Sequence, residues 1–150
     1  MTDPQTGTVA ITGGSGFIGS NVVDALIESG RTVLVIDSVA PHRDDVEWHD
    51  VDILDVDALQ PVLDGTEAVF HLAAMADVND IYADPARAVA VNVQGTVNVL
   101  EAGRRVGSGR TVLASTVWVY GSTVGDIVDE TTPFTEDMDR HLYITTKIAS

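Results

Sequence analysis

A short apolar run that ends in a glycine cluster constrains the fold of this chain more than any other feature. Residues 9–19 read VAITGGSGFIG, and an amphipathic segment from Ser20 to Ser29 follows. This order predicts a strand, a tight turn and a helix. Gly14, Gly16 and Gly19 fit the spacing G-x-G-x-x-G, which permits a sharp turn, close approach of the backbone to a pyrophosphate, and tight packing of the helix on the strand. The predicted contacts to that pyrophosphate come from the whole turn: Gly13, Gly14, Ser15, Gly16, Phe17, Ile18 and Gly19.

An acidic residue follows at the distance that this motif requires. A second strand is predicted from Thr32 to Asp37, and Asp37 lies at its carboxyl end. A carboxylate there can bond both hydroxyls of an adenosine ribose and repels a 2′-phosphate, which favours NAD over NADP. NADP stays an alternative cofactor, because Arg43 is nearby in the sequence and an arginine can accept that phosphate. The alternative is that Asp37 is only a turn or cap residue.

Composition excludes several classes of partner. The chain has 150 residues, with 23 acidic and 8 basic residues and a net charge of −15. Such a chain repels nucleic acids and anionic membranes, so neither is an expected partner. No window approaches the roughly 20 apolar residues of a membrane span. Cysteine is absent and the first residues are polar, so a cytoplasmic location is expected.

The remaining pattern alternates strands with helices. Further strands are predicted at Thr8 to Thr12, Val46 to Val51, Glu67 to Ala74 and Thr111 to Ser115. Further helices are predicted at Ala58 to Leu63, with Pro61 tolerable only near the first turn, and from Pro85 onward. In the latter, an apolar stripe recurs at helical spacing: Val89, Asn92, Val93, Val97 and Leu100. We therefore expect an α/β fold, a doubly wound parallel sheet of Rossmann type, with residues 1–150 forming one NAD(P)-binding domain.

Two histidines raise the question of a metal site. His42 and His49 lie among acidic residues. Neither a third imidazole nor a thiol stands at a recognisable ligand spacing. We interpret both as solvated loop residues and predict no metal.

Several short motifs in order resemble one family. They are residues 12–19 (TGGSGFIG), 52–53 (DI), 71–74 (HLAA), 92–96 (NVQGT), 115–121 (STVWVYG) and 143–147 (YITTK). Together they resemble the extended short-chain dehydrogenase/reductase family, the NAD-dependent sugar-nucleotide epimerases and dehydratases. The resemblance implies that Asp52 and Ile53 lie against adenine. It also implies that Leu72, Ala73 and Ala74 line the cofactor cleft, and that Asn92 has a structural role among the cofactor-site residues.

A catalytic group follows from the last two motifs. Tyr143 and Lys147 are four residues apart, hence on one helix face. The lysine charge should lower the pKa of the phenol. The phenolate can then take a proton from a sugar hydroxyl while a hydride leaves for NAD⁺. By resemblance, Lys147 also holds the nicotinamide ribose, and Thr116 stands where the family has its active serine or threonine.

The sequence departs from the family pattern in two ways, and both limit the function that the resemblance implies. Where family 4,6-dehydratases carry an acid and a base after the active threonine, this chain has Val117 and Trp118, which cannot transfer protons. The chain also stops at Ser150, whereas family members continue for about as long again, through the region that binds the substrate. We therefore expect the N-terminal, cofactor-binding half of a UDP-glucose 4-epimerase-like enzyme or related oxidoreductase, a homodimer at full length and inactive as an isolated half. The alternatives are a non-catalytic NAD-binding sensor or an inactive fragment.

Overall fold

Five parallel strands form the centre of the molecule. The computed structural model describes residues 7–121, 127–136 and 141–150. The sheet order is β3-β2-β1-β4-β5. The strands are β1 Thr8–Thr12, β2 Thr32–Ile36, β3 Glu47–His49, β4 Thr66–His71 and β5 Arg110–Leu113. All neighbouring strands pair in parallel, as the alternation of strands and helices predicts.

Helices connect the strands. They are α1 Phe17–Glu28, α2 Val56–Leu63, α3 Val78–Ala83, α4 Pro85–Val89, α5 Gly95–Val106 and α6 Leu142–Ala149. A π-helical turn, Ala90–Gln94, joins α4 to α5, and a 3₁₀ helix spans Val117–Tyr120. The sequence did not predict α3, which is only one and a half turns long. Its start is capped by Asp77, whose carboxylate accepts from the N–H groups of Asn79 and Asp80.

The sheet is buried on both faces. On one face Ala10, Leu34 and Val69 pack with Leu59 of α2 and Val99 of α5. On the other face Ile11, Val33 and Val35 pack with Val23 of α1. Residues Val9 to Thr12 are at most 1% exposed, so the continuous apolar run of β1 is a strand buried on both faces.

The α4–α5 segment turns a different face to the sheet than the apolar stripe predicts. Val89, Val97 and Leu100 are 44–51% exposed. Most buried positions carry small or polar side chains instead, namely Ala88, Asn92, Thr96 and Ala102, and Val99 is a buried aliphatic residue outside the stripe. Gly95 shows how close the helix comes to its neighbours, because a Cβ there would lie 2.5 Å from Cδ1 of Ile53. This close approach requires a residue without a side chain at position 95, and three aliphatic side chains of the stripe remain exposed.

Two smaller expectations were also wrong. The helical spacing of the apolar residues in α1 predicts a core stripe that begins at Phe17 and continues through Val22, Val23, Leu26 and Ile27, but Phe17 is 89% exposed. It lies nine positions before Leu26, which places the two side chains on opposite sides of the helix. Pro61 lies inside α2 beyond its first turn. The Asp55 carboxylate caps that helix by accepting from Asp57 and Ala58, which offsets part of the cost of the missing proline donor.

Candidate functional site

The glycine turn is closed by its own backbone. Gly13, not Gly14, adopts the left-handed conformation, with φ at 72°, so the sharp turn falls one residue earlier than the motif spacing implies. The N–H of Gly16 donates to the carbonyl of Gly13 at 3.1 Å. A Cβ on Gly19 would lie 2.0 Å from that carbonyl oxygen, and one on Gly14 would lie 2.8 Å from a methyl of Val35. At Gly16, by contrast, the nearest atom to a Cβ would be the Gly13 oxygen at 3.3 Å.

A cleft of about 540 Å³ opens at the carboxyl ends of the strands. Eight predicted cofactor residues line it: Gly13, Gly16, Asp37, Asp52, Ile53, Leu72, Ala73 and Ala74. The other predicted residues lie outside its lining: Gly14, Ser15, Phe17, Ile18, Gly19, Asn92, Tyr143 and Lys147. Their cofactor contacts stay predictions. The glycine turn thus leaves open space beside Gly16, the cradle that a pyrophosphate needs.

Sequence reasoning missed part of the lining. The missed residues are Ile36, Ser38, Asp50, Val51, Met75, Arg87 and Val91. Four of the first five adjoin predicted residues along the chain, and Asp50 lies two positions before Asp52, so the strand-end positions could have indicated them. Arg87 and Val91 belong to the segment after β4, and the sequence carries no signal that turns them toward the cleft.

Asp37 joins the glycine turn to the end of β2. Its Oδ2 accepts from the N–H of Ser15 and its Oδ1 from the N–H of Val39, both at 3.0 Å. Asp37 is therefore a turn residue, as the alternative proposed, and it also lines the cleft. The two roles are compatible, because each carboxylate oxygen can accept more than one hydrogen bond.

The Arg43 guanidinium is bound by two carboxylates outside the cleft lining. Its Nε donates to Oδ1 of Asp45 at 2.7 Å and its Nη1 to Oδ1 of Asp24 at 3.1 Å. These carboxylates raise the pKa of Arg43 above its usual value. Arg43 is also absent from the cleft lining. Arg43 is the residue that could have accepted the 2′-phosphate of NADP, and two carboxylates bind its guanidinium instead. This arrangement favours NAD over NADP.

Asn92 connects the cleft wall to α6. Its Oδ1 accepts from the N–H of Met75 at 2.8 Å, and its Nδ2 donates to the carbonyl of Met75 and to Oγ1 of Thr146, both at 3.0 Å. Its own carbonyl accepts from the hydroxyls of Thr96 and Ser150. Asn92 is 1% exposed. The structural role that the resemblance implied is therefore visible as a set of bonds.

His71 is buried between the strands and α5. Its Nδ1 lies 2.6 Å from Oγ1 of Thr12, and its Nε2 lies 3.0 Å from Oγ1 of Thr96. Because the Thr96 hydroxyl donates to Asn92, Nε2 must carry the proton and Nδ1 accepts from Thr12. Burial, together with the charge of Lys147, lowers the pKa of His71 to about 4. The neutral His71 ring thus joins Thr12 of β1 to Thr96 of α5. His71 is not among the site residues that the sequence predicts.

The helix α6 brings Tyr143 and Lys147 together. The Lys147 ammonium donates to the carbonyl of Ala114 at 2.8 Å and lies 5.9 Å from the centre of the Tyr143 ring. Burial lowers the pKa of Lys147 and raises the pKa of Tyr143. The expected lowering of the tyrosine pKa is therefore wrong for this arrangement. The ammonium bonds to a backbone carbonyl above the ring, and removal of the phenol from water dominates.

The segment after β5 faces the same helix. Thr116 precedes the 3₁₀ helix and caps it, its Oγ1 accepting from the N–H of Trp118 at 3.4 Å. The Trp118 ring meets the Tyr143 ring edge to face at 6.4 Å. Val117 and Trp118 are 64% and 51% exposed. The structure thus brings the segment of Thr116 next to Tyr143 and adds an apolar surface beside them.

The described residues show neither a metal centre nor a membrane helix. In residues 7–121, 127–136 and 141–150, no group of three or more histidine and acidic side chains could hold a metal ion. His42 bonds Asp24 and His49 bonds Glu47 instead. Within the same ranges, no helix has the length and apolar character to cross a bilayer.

The parallel sheet, the glycine turn and the strand-end cleft define a Rossmann-type dinucleotide-binding protein. A family model described as the NAD dependent epimerase/dehydratase family matches residues 9–150. The chain belongs to this family.

Relatives and solved structures agree with this assignment. A 3 beta-hydroxysteroid dehydrogenase/Delta 5→4-isomerase of Mycobacterium tuberculosis is 38% identical over 97% of this chain and 41% of its own length. A UDP-glucuronic acid decarboxylase of Arabidopsis thaliana is 36% identical over 75% of this chain and 26% of its own. The UDP-glucose 4-epimerase of Thermus thermophilus, solved with NAD, superposes with a TM-score of 0.82 at 33% identity, over 95% of this chain and 48% of that one.

These findings confirm three predictions: the family, the Rossmann-type fold and NAD as the cofactor of the family. They also show that the chain spans less than half the length of these relatives. The enzymes it resembles include epimerases, decarboxylases and a dehydrogenase/isomerase.

Proposed function

We propose that this chain is the cofactor-binding part of an NAD-dependent sugar-nucleotide epimerase, similar to UDP-glucose 4-epimerase, or of a related oxidoreductase. The observation that carries the proposal is the Asn92 bridge. It joins Met75, in the wall of the cleft, to Thr146, the neighbour of Lys147 on α6. This bridge would fix the position of a cofactor in the cleft relative to a substrate beside Tyr143.

The residues have separate roles in this proposal. When bound, NAD⁺ would supply the hydride acceptor. The pyrophosphate would lie beside Gly16, and Asp37 would bond the adenosine ribose. Tyr143 would accept the proton of the reacting hydroxyl, and Thr116 would bond the same oxygen. Lys147 would leave Ala114 to hold the nicotinamide ribose and to favour the tyrosinate.

The substrate class is the finer part of the proposal. Solved neighbours are described with UDP-glucose or UDP-glucuronic acid bound, which supports a nucleotide sugar. A second candidate is an alcohol on an apolar ring system. It is favoured by the exposed Val117 and Trp118 beside Tyr143 and by the 38% identical hydroxysteroid dehydrogenase.

The test uses a protein that carries this chain together with the further region that its relatives have. With NAD, we expect it to convert UDP-glucose to UDP-galactose, followed by NMR of the anomeric proton. Oxidation of a 3β-hydroxysteroid with NADH formation, but no change in UDP-glucose, would favour the second candidate. NAD binding without turnover of either class would support the alternative of a sensor.

We also propose a homodimer for the longer protein. The exposed stripe of Val89, Val97 and Leu100 is continuous with the partly buried Val93, and an apolar helix face of this kind suits a second copy. Val97→Glu should shift the molar mass in light scattering from dimer to monomer, whereas Ile127→Glu, the same kind of change at an 85% exposed aliphatic residue outside α5, should leave it unchanged. An unchanged dimer in Val97→Glu would remove this surface from the interface. The cytoplasmic location stays a prediction from the absence of cysteine.

A further inference from the structure

One cation faces the acidic end of the cleft. Among the residues that line the cleft, the ionisable ones are Asp37, Asp50, Asp52 and Arg87. Nη2 of Arg87 lies 3.5 Å from Oδ2 of Asp52, and the two side chains are 51% and 52% exposed. This is a single, long contact near water, and surface pairs of this kind contribute little to stability. Arg87 can therefore leave Asp52 at little cost.

The position of Arg87 is well defined by its backbone. Its N–H donates to Oδ1 of Asp84, the cap of α4, at 2.9 Å. Val91, four residues further on, also lines the cleft, so this side of the segment faces the ligand space. The guanidinium thus moves on a flexible side chain that starts from a fixed point at the rim.

The opposite side is rigid. Oδ1 of Asp52 accepts from the N–H of Leu54 at 2.9 Å. Ile53 is 7% exposed, and Nδ2 of Asn98 donates to its carbonyl at 3.0 Å. Asp52 consequently presents Oδ2 to the cleft from a fixed loop, and Ile53 supplies an apolar floor.

We propose that Arg87 is a binding residue for the adenine ring of the cofactor. Its planar guanidinium leaves Asp52 and stacks on the face of adenine opposite to Ile53. The proposal rests on the NAD site proposed above. A guanidinium stacks well on aromatic faces, and its charge also offsets that of the pyrophosphate in a chain of net charge −15.

The competing role is a purely structural ion pair between the loop of Asp52 and α4. That role would affect stability, but it would leave the NAD affinity of the folded protein unchanged. The test therefore measures dissociation constants by calorimetry for NAD and ADP-ribose, together with the free energy of unfolding in urea. Arg104→Ala is the matched control, because it makes the same change in charge in an arginine paired with Glu101 on the surface of α5.

For Arg87→Ala we expect about tenfold weaker binding of both NAD and ADP-ribose, with Arg87→Lys intermediate and Arg104→Ala unchanged. Equal NAD affinity in Arg87→Ala and the wild type would overturn the proposal, as would a loss for NAD without a loss for ADP-ribose. Failure of the wild type to bind NAD would instead overturn the proposed function.

Discussion

The glycine turn and the helix α6, which carries the proposed catalytic residues, are held in place in opposite ways. The turn uses neighbours in sequence: Gly13, Gly16 and Gly19 contact one another through backbone atoms. The helix uses distant side chains, since Asn92 reaches Thr146 across 54 positions and Lys147 reaches Ala114 across 33. Backbone closure tolerates changes in most side chains but no added Cβ at Gly13 or Gly19, whereas the α6 contacts depend on individual polar groups.

The largest expected effect tests the proposed proton-transfer role of Tyr143 on α6. In the longer protein, Tyr143→Phe should lower turnover about 10²–10⁴-fold, the range for loss of a positioned acid or base, and leave NAD affinity nearly intact. Tyr120→Phe is the matched control, because its ring packs on Phe134 and it loses the same atom. Turnover and NAD titration of both variants check this. Substantial activity in Tyr143→Phe would remove Tyr143 from the proposed role.

The next effect tests the turn with two similar substitutions. Gly19→Ala should destabilise the protein by about 3 kcal/mol or more, because its Cβ would lie 2.0 Å from the Gly13 oxygen in a packed turn. Gly16→Ala should cost less than about 1 kcal/mol in stability yet weaken NAD binding, because its Cβ enters the ligand space. Urea unfolding and NAD titration separate the two. Unchanged NAD affinity in Gly16→Ala would make that glycine structural only.

His71 lies between the two regions and gives a pH test. Its pKa falls from 6.5 to about 4 on folding, so the unfolded chain binds more protons within that window. The neutral ring stabilises the fold above pH 6.5, and this contribution is lost as the pH falls toward 4, up to about 3 kcal/mol. Unfolding free energies at pH 7 and pH 5 should differ more in the wild type than in His71→Gln. Equal differences in the two proteins would contradict a buried neutral His71.

The smallest effect concerns the choice between NAD and NADP. Arg43→Ala should leave the ratio of the two affinities within about twofold, because Arg43 is bound to Asp45 and Asp24. Asp37→Ser should shift the ratio toward NADP by removing the repelling charge. Titration with both cofactors measures the ratio. A large change in Arg43→Ala would show that the arginine leaves its carboxylates and controls the pocket.

Sequence patterns located the nucleotide side because its features are local. The apolar strand, the glycine cluster and Asp37 lie within about 30 residues of one another. Their contacts follow from the geometry of a strand and a tight turn, and the pattern of apolar residues and glycines in the sequence indicates both. Of the eight predicted cofactor residues that line the cleft, Gly13, Gly16 and Asp37 come from this stretch, and the other five come from the family resemblance. Motif order was enough for the family, which the match over residues 9–150 confirms.

Other features were decided only by packing. The exposure of Val97, the neutral state of His71 and the direction of Arg87 depend on which residues come close from other elements. The stripe on α5 is apolar at helical spacing, yet Gly95 and Thr96 make the opposite face the one that fits the sheet. Likewise, the pKa of Tyr143 follows its burial rather than its spacing from Lys147. A one-dimensional pattern reports periodicity and local turns, whereas desolvation and contact depend on neighbours that only the tertiary fold supplies.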